Sequence, residues 1–235
     1  MHRIRVITLD LDDTLWAIGP VIERAERELR TWLAARYPRI AAQWSEEAVL
    51  RLREDIAAEH ADRAHDLRFL RRSVLARMAG AAGYDSDLVD PAFRVFDQAR
   101  NAVELFPDVL PALDRLAADY ALVALTNGNA CLETIGIRHY FDDVVTAVDA
   151  GVAKPHARIF DVARRRAGAR PHEILHVGDH PHLDVVGARD AGLRAAWVNR
   201  RASAWPAELA APDAEIATMA ELADLLQRAS ADRTA

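Results

Sequence analysis

The chain has 235 residues, 51% hydrophobic and 28% charged, with a formal net charge of −6. That length accommodates one compact catalytic domain with a smaller domain inserted, and the composition excludes a disordered or fibrous chain. The acidic balance gives no electrostatic footprint for nucleic acid, and no apolar run approaches the roughly 18–20 residues that span a bilayer, so a cytoplasmic protein without a membrane partner is expected.

From Ile4 to Leu9 the sequence IRVITL is short, β-branched and mostly apolar, and it ends in the acidic run Asp10-Leu11-Asp12-Asp13. This is the pattern of a buried strand with a polar tip. Between Pro20 and about Asn101 the pattern becomes that of amphipathic helices, VIERAERELRTWLAARY, SEEAVLRLREDIAAEH and DLRFLRRSVLARMAGAAG, broken by Pro38, Gly83 and Pro91. After Phe106-Pro107 helix and strand alternate. Helices are predicted near 108–118, 129–135, 156–168 and 182–191, and strands at 121–126 (ALVALT), 144–148 (VVTAV), 173–178 (EILHVG) and 195–199 (AAWVN). Such alternation implies an α/β fold: a Rossmann-like parallel sheet with helices on both faces and right-handed crossovers. The predicted organisation is an α/β core of residues 1–15 and 105–235 interrupted by an all-helical domain of residues 16–104. No internal repeat is visible, and the tail ASADRTA is expected to fray. The single cysteine, Cys131, permits no internal disulfide and reads as a small apolar helix residue.

In open α/β sheets ligands bind beyond the carboxyl ends of the strands. The residues predicted there are Asp10, Asp12 and Thr14, then Thr126, Asn127 and Gly128, then Lys154, then Asp179 and, five positions on, Asp184. Asp10 and Asp12 are two apart, so in an extended segment both carboxylates lean to one side. A carboxylate that attacks phosphorus splits ester hydrolysis into two easier steps, and a second acid protonates the leaving alkoxide and later activates water. Asp10 is thereby assigned as nucleophile and Asp12 as acid and base. Magnesium, a hard cation, would let these anions meet an anionic substrate, with Asp10, Asp12, Asp179 and Asp184 as candidate ligands. Lys154, the Thr126 hydroxyl and the Asn127-Gly128 turn would hold phosphoryl oxygens. Of the thirty basic residues only Lys154 is lysine, which suggests a site where a compact ammonium fits and a planar guanidinium does not. His176, His180 and His182 flank Asp179, but imidazole nitrogen suits a hard cation poorly, and His176 reads as a packed strand residue. Asp13 is expected to cap the turn.

Asp10-x-Asp12-x-Thr14, the strand-terminal Thr126, Lys154-Pro155 and Gly178-Asp179-x-x-x-x-Asp184 resemble, in order, the four motifs of haloacid dehalogenase superfamily hydrolases. Leu183 departs from the Asn or Thr that many members carry. The resemblance implies that the helical insertion is a cap that closes over the substrate, and that the Asp12 backbone carbonyl also binds the metal. It further implies phosphoryl transfer, because dehalogenases of this superfamily lack the second aspartate. The strings TLDLDDTLW, LTNGNA and EILHVGDHPHLDVVGA are most similar to bacterial phosphatases acting on FMN and on 5-amino-6-(5-phosphoribitylamino)uracil. The expected partner is a small phosphorylated metabolite and the expected state a monomer or weak homodimer. A phosphomutase, a 2-haloacid dehalogenase-like hydrolase and a non-catalytic phospho-ligand sensor are the alternatives. Trp16 is a candidate to stack on a substrate ring, and Arg68, Arg71 and Arg72 to reach a distal polar group; a hinge-packing tryptophan and a solvated arginine face are the competing readings.

Overall fold

The structure is a computed structural model that describes residues 4–231. The chain forms two compact units: one takes the chain up to Ala17, Glu104–Gly128 and everything from Gly136 on, and the other takes Ile18–Val103 with Asn129–Ile135. Among the described residues no helix is long and apolar enough to cross a membrane.

The second unit is helical: α1 (Ile18–Arg36), α2 (Pro38–Gln43), α3 (Glu46–Glu59), α4 (Leu67–Ala81) and α5 (Val89–Asn101). Apolar residues recur at helical spacing and meet in one core: Ala25, Leu29 and Leu33 from α1, Leu52 and Ile56 from α3, Phe93, Phe96 and Ala99 from α5. Ser45 and Asp66 start α3 and α4 by accepting the N–H groups of Ala48 and Phe69. Pro38 and Pro91, expected to break the helical run, sit in the first turns of α2 and α5, so each stands where a new helix begins and a missing N–H leaves no bond unmade. The helix expected near 129–135 shrinks to α7 (Leu132–Ile135), because the residues before it are tied elsewhere. Asn129 accepts from Arg100 Nε at 3.2 Å, and the Cys131 N–H donates to Asn101 Oδ1 at 2.7 Å, so this stretch is pinned to the end of α5.

In the first unit, β1 (Val6–Leu9) is followed, beyond the insertion, by α6 (Val109–Asp119), β2 (Ala121–Thr126), β3 (Asp143–Thr146), α8 (Ala147–Ala150), α9 (Ala157–Arg166), β4 (Ile174–Gly178), α10 (Gly187–Asp190), β5 (Arg194–Val198), β6 (Ala214–Ile216) and α11 (Met219–Ala231). The strands are all parallel, in the order β3-β2-β1-β4-β5-β6. Val6, Val123, Leu125, Val145, Ile174 and Trp197 pack on one face against Ile159, Phe160 and Ala163 of α9. The residues between them, such as Ile7, Leu122 and Leu175, are equally buried on the opposite face, where α6 and α11 lie against each other. Strands covered on both faces lose the alternation of polar and apolar residues, as their sequences show.

Several elements differ from the sequence expectation. The strand expected at 144–148 stops at Thr146, whose hydroxyl and the Asp149 carboxylate form a reciprocal capping box that turns the chain into α8. The helix expected near 182–191 opens as a π-helical turn, Pro181–Val186, before α10. β6 and α11 were not expected; β6 is only three residues long. The tail expected to fray is helical through Ala231, and residues 232–235 lie outside the described residues.

Asp108, just before α6, ties three distant segments together. Its carboxylate accepts both terminal nitrogens of Arg200 at 3.0 Å and the Met219 N–H at 2.7 Å, while Arg200 Nε donates to the Thr14 carbonyl and the guanidinium lies 4.0 Å from the Phe106 ring centroid. Burial alone would raise the Asp108 carboxyl, but Arg200 and the Met219 N–H hold it below the usual carboxylate range. A depressed folded-state value stabilises the fold above the unfolded value, about 3.9, and that stability is lost as pH falls through the folded value. Asp108→Asn should therefore unfold more easily at pH 7, by about 1–3 kcal/mol, and denaturant titrations below about pH 4 should show the gap to wild type closing.

Candidate active site

Asp10 follows β1 directly, and its N–H donates to the Val177 carbonyl of β4 at 2.9 Å, so the sheet ladder continues to the catalytic edge. The buried side chains of Leu9 and Leu11 on either side fix its direction. The chain then turns tightly: Thr14 and Leu15 N–H groups point to the Leu11 carbonyl, and Asp13, at φ +60°, donates its N–H to the Trp16 carbonyl at 2.7 Å. Asp is among the few residues that adopt this left-handed conformation readily.

Lys154 reaches this edge from the loop after α8. Asn127, just past β2, clamps its backbone from both sides, accepting the Lys154 N–H at 2.6 Å and donating to the Lys154 carbonyl at 3.1 Å. The ammonium, almost wholly buried, donates to Asp10 Oδ1 at 2.5 Å, Asp184 Oδ1 at 2.7 Å and the Leu125 carbonyl at 3.0 Å. Three donors thus meet three acceptors. Asp184 stands in the π-helical turn, a form often found at functional sites. A Cβ on Gly178 would lie 2.3 Å from Asp184 Cγ, and one on Gly187 would lie 2.9 Å from Pro155, so both positions need glycine for this packing.

The carboxylates of Asp10, Asp179 and Asp184 place one oxygen each within 4.8 Å of one another. Asp179 is half-buried, and its backbone carbonyl is held by the Trp197 indole N–H at 2.7 Å. Thr14 Oγ1 lies 3.4 Å from both Asp10 Oδ2 and Asp179 Oδ1, and its single proton can serve one at a time. Burial pushes the Asp10 carboxyl up to about 8; Lys154 opposes this, and the charges of Asp184 and Asp179 add to it. Asp179 rises to about 7 through burial and the neighbouring Asp184 and Asp13 charges. Asp184 goes the other way: burial would raise it, but Lys154 and His176 hold it well below the usual carboxylate range. One ammonium facing three carboxylates leaves negative charge in excess. An all-oxygen donor set with that excess fits a hard divalent cation such as magnesium.

Asp12 is not a member of this carboxylate cluster. It is half-buried, and its Oδ1 accepts the Trp16 indole N–H at 2.9 Å. Thr126 is buried, with its hydroxyl oxygen accepting the Gly128 N–H at 2.8 Å, so that amide is already engaged. Trp16 is wholly buried, which leaves its ring no open face for stacking. The arginine candidates are all engaged within the helical unit: Arg68 with Asp97 at 2.9 Å, Arg72 with Asp90, and Arg71 with Glu26 at 2.8 Å while its guanidinium lies 3.4 Å from the Phe96 ring centroid. His180 and His182 are exposed, and His180 Nδ1 accepts the N–H groups of His182 and Leu183 at the start of the π-helical turn. The sequence reading missed Thr8 and the clamping role of Asn127. The available signal for Thr8 was a polar residue inside an otherwise apolar strand.

Residues 4–192 match the haloacid dehalogenase-like hydrolase family. The chain is 33% identical over 234 residues to the 5-amino-6-(5-phospho-D-ribitylamino)uracil phosphatase YigB of Escherichia coli, covering 96% of this chain and 98% of that protein. It is 32% identical to a glyceraldehyde 3-phosphate phosphatase of Methanopyrus kandleri, covering 81% and 82%. A crystal structure described as 2-haloacid dehalogenase, from Pseudomonas syringae pv. Tomato DC3000, superposes with a TM-score of 0.91 at 41% identity, covering 96% and 99%. The chain belongs to the haloacid dehalogenase-like hydrolase family.

Two outcomes follow for stability. Lys154→Met leaves buried carboxylates without their counter-ion and should cost about 3–5 kcal/mol in chemical denaturation. Magnesium at about 100 times its Kd should stabilise the wild-type fold by about 2.7 kcal/mol, a rise of several degrees in Tm, and Asp179→Asn should blunt that rise.

Proposed function

We propose that this hydrolase is a magnesium-dependent phosphomonoesterase that works through a phosphorylated Asp10, on a small phosphorylated metabolite such as a ribitylaminouracil phosphate or FMN. The observation that carries the reading is Asp12. A carboxylate two residues beyond the nucleophile, steadied by the Trp16 indole, is what proton transfer to and from an ester oxygen needs and what displacement of halide does not.

In the first step an Asp10 oxygen attacks phosphorus, the ester P–O bond breaks, and Asp12 gives its proton to the departing alkoxide. In the second, Asp12 takes a proton from water as the water oxygen attacks the aspartyl phosphate, releasing inorganic phosphate and restoring Asp10. Lys154 keeps one Asp10 oxygen oriented and offsets charge beside the transferring group, which Thr126 helps to hold. Asp10, Asp179 and Asp184 would hold the magnesium, together with the Asp12 backbone carbonyl that the family resemblance implies. When bound, the metal neutralises charge between the carboxylates and the phosphoryl oxygens. The helical unit, with the 129–135 segment that belongs to it, is proposed as the cap that selects the substrate. The ribitylaminouracil assignment is supported by the near full-length likeness to the E. coli phosphatase.

A second reading, 2-haloacid dehalogenase, is favoured by the likeness to the P. syringae structure. There Asp10 would attack the halogen-bearing carbon and expel halide, with no part for Asp12. Phosphate release from a phosphomonoester panel and halide release from 2-chloropropionate, each with magnesium and with chelator, separate the two. Magnesium-dependent phosphate release without halide is expected. Asp10→Asn should abolish it, and Asp12→Ala should lower it by about 10²–10⁴-fold with binding largely kept. Halide release that survives Asp12→Ala would establish the dehalogenase instead.

A further inference from the structure

One buried titratable side chain has no part in the reaction just described. His176 lies in β4 beside β1, wholly buried, with the Phe160 ring edge-on at 5.2 Å between centroids. Both ring nitrogens have partners. Nδ1 is 2.9 Å from Thr8 Oγ1, its register partner on β1, and Nε2 is 3.1 Å from Asp184 Oδ1. That same oxygen receives the Lys154 ammonium, so Asp184 is ionised and only accepts. Nε2 must then carry a proton to bond this carboxylate, while Nδ1 faces the Thr8 hydroxyl, which can donate or accept.

We propose that His176 is a positioning residue for Lys154: through its Nε2–H, with the ring held in place by Thr8, it fixes the Asp184 carboxylate so that Asp184 in turn aims the ammonium at Asp10. The chain of bonds runs from Thr8 through His176, Asp184 and Lys154 to Asp10. The His180 N–H holds the other Asp184 oxygen at 3.0 Å, so the carboxylate is gripped at both ends and cannot rotate without losing a buried bond. Removing the imidazole donor leaves Asp184 free to turn, and Lys154 loses its fixed third acceptor. This inference rests on Asp10 being the nucleophile only where it speaks of rate; where it speaks of Lys154 placement it does not.

The lone lysine makes the placement directly observable, since lysine-selective isotope labelling gives a single side-chain signal, that of Lys154. His176→Leu should shift that signal, and His176→Gln, which returns an amide N–H near the Nε2 position, should restore it. Nitrogen NMR of labelled histidine in the wild type should show the His176 ring protonated on Nε2. In phosphate release, His176→Leu should lose about 10–100-fold in kcat with KM little changed, and Gln should recover most of it. If His176→Leu does not fold, Thr8→Val is the second variant; it should alter the His176 nitrogen signals and move the lysine signal in the same direction. A ring with no proton on Nε2, or a Lys154 signal unmoved by both His176→Leu and Thr8→Val, overturns the proposal. Absent phosphate release with the expected NMR shifts overturns the phosphatase reading and leaves the positioning role standing.

Discussion

The edge of the sheet is organised by one buried ammonium. Lys154 Nζ has Asp10, Asp184 and the Leu125 carbonyl within 3.0 Å, and three carboxylates crowd within 4.8 Å in the same region. Like charges at that spacing repel strongly in a poorly solvated setting, and a single cation cannot offset all of them. Burial and this repulsion push up the Asp10 and Asp179 carboxyls, while Asp184, bonded to both Lys154 and His176, keeps its charge. These three carboxylates could hold a further hard cation. The bare side chain of Gly178, the contact of Gly187 with Pro155 and the two-sided grip of Asn127 on the Lys154 backbone all serve to keep that ammonium where it is.

Strand order explains why lysine is the residue that does this. Asp10 and Asp179 meet because β1 and β4 are neighbours at the point where the winding of the sheet reverses, the usual place for a ligand crevice. The loop carrying Lys154 follows β3, two strands from β1, a lateral separation of about 9–10 Å. A long, thin side chain can cross that gap, and on the way it bonds the Leu125 carbonyl of the intervening β2. A guanidinium is as long but broad and planar, and it could not present three separately directed N–H groups to these three acceptors. In a chain that uses arginine at every other basic position, this geometry accounts for the exception.

The residues of this edge were legible in the sequence because each is a polar type that a buried strand cannot carry far from its end. The α/β alternation and the helical stretch were legible for the same reason: periodicity is imposed by burial. What escaped was decided by specific pairwise bonds, one of them local and the others distant in sequence. Thr146 and Asp149 convert the end of an apparent strand, VVTAV, into a helix, and no apolar pattern announces a capping box. Asn101 and Arg100 hold Asn129 and Cys131 out of a helix through bonds between positions about thirty apart. Thr8 and His176 are 168 residues apart and become partners only through the β1–β4 register. The arginines of α4 looked like a solvated or ligand-facing set, yet Arg71 is committed to Glu26 and the Phe96 ring. Sequence distance hides such pairings, whereas residue type at a strand terminus does not.

The chain is similar to phosphatases and to a structure described as a dehalogenase, and it offers, in Asp10 and Lys154, a carboxylate with a cation beside it. Displacement at carbon and displacement at phosphorus both begin from that arrangement, so high similarity of fold leaves the reaction open. The difference lies in the leaving group. Halide departs as a stable anion, but an alkoxide must be protonated as it leaves, and the intermediate must then be opened by an activated water. Both demands fall on a single acid and base close to, but distinct from, the nucleophile. In the proposed phosphatase reading Asp12 takes both: it follows Asp10 by two residues, is not one of the three clustered carboxylates, and has one oxygen held by the Trp16 indole N–H, whereas displacement of halide would make no such demand on it.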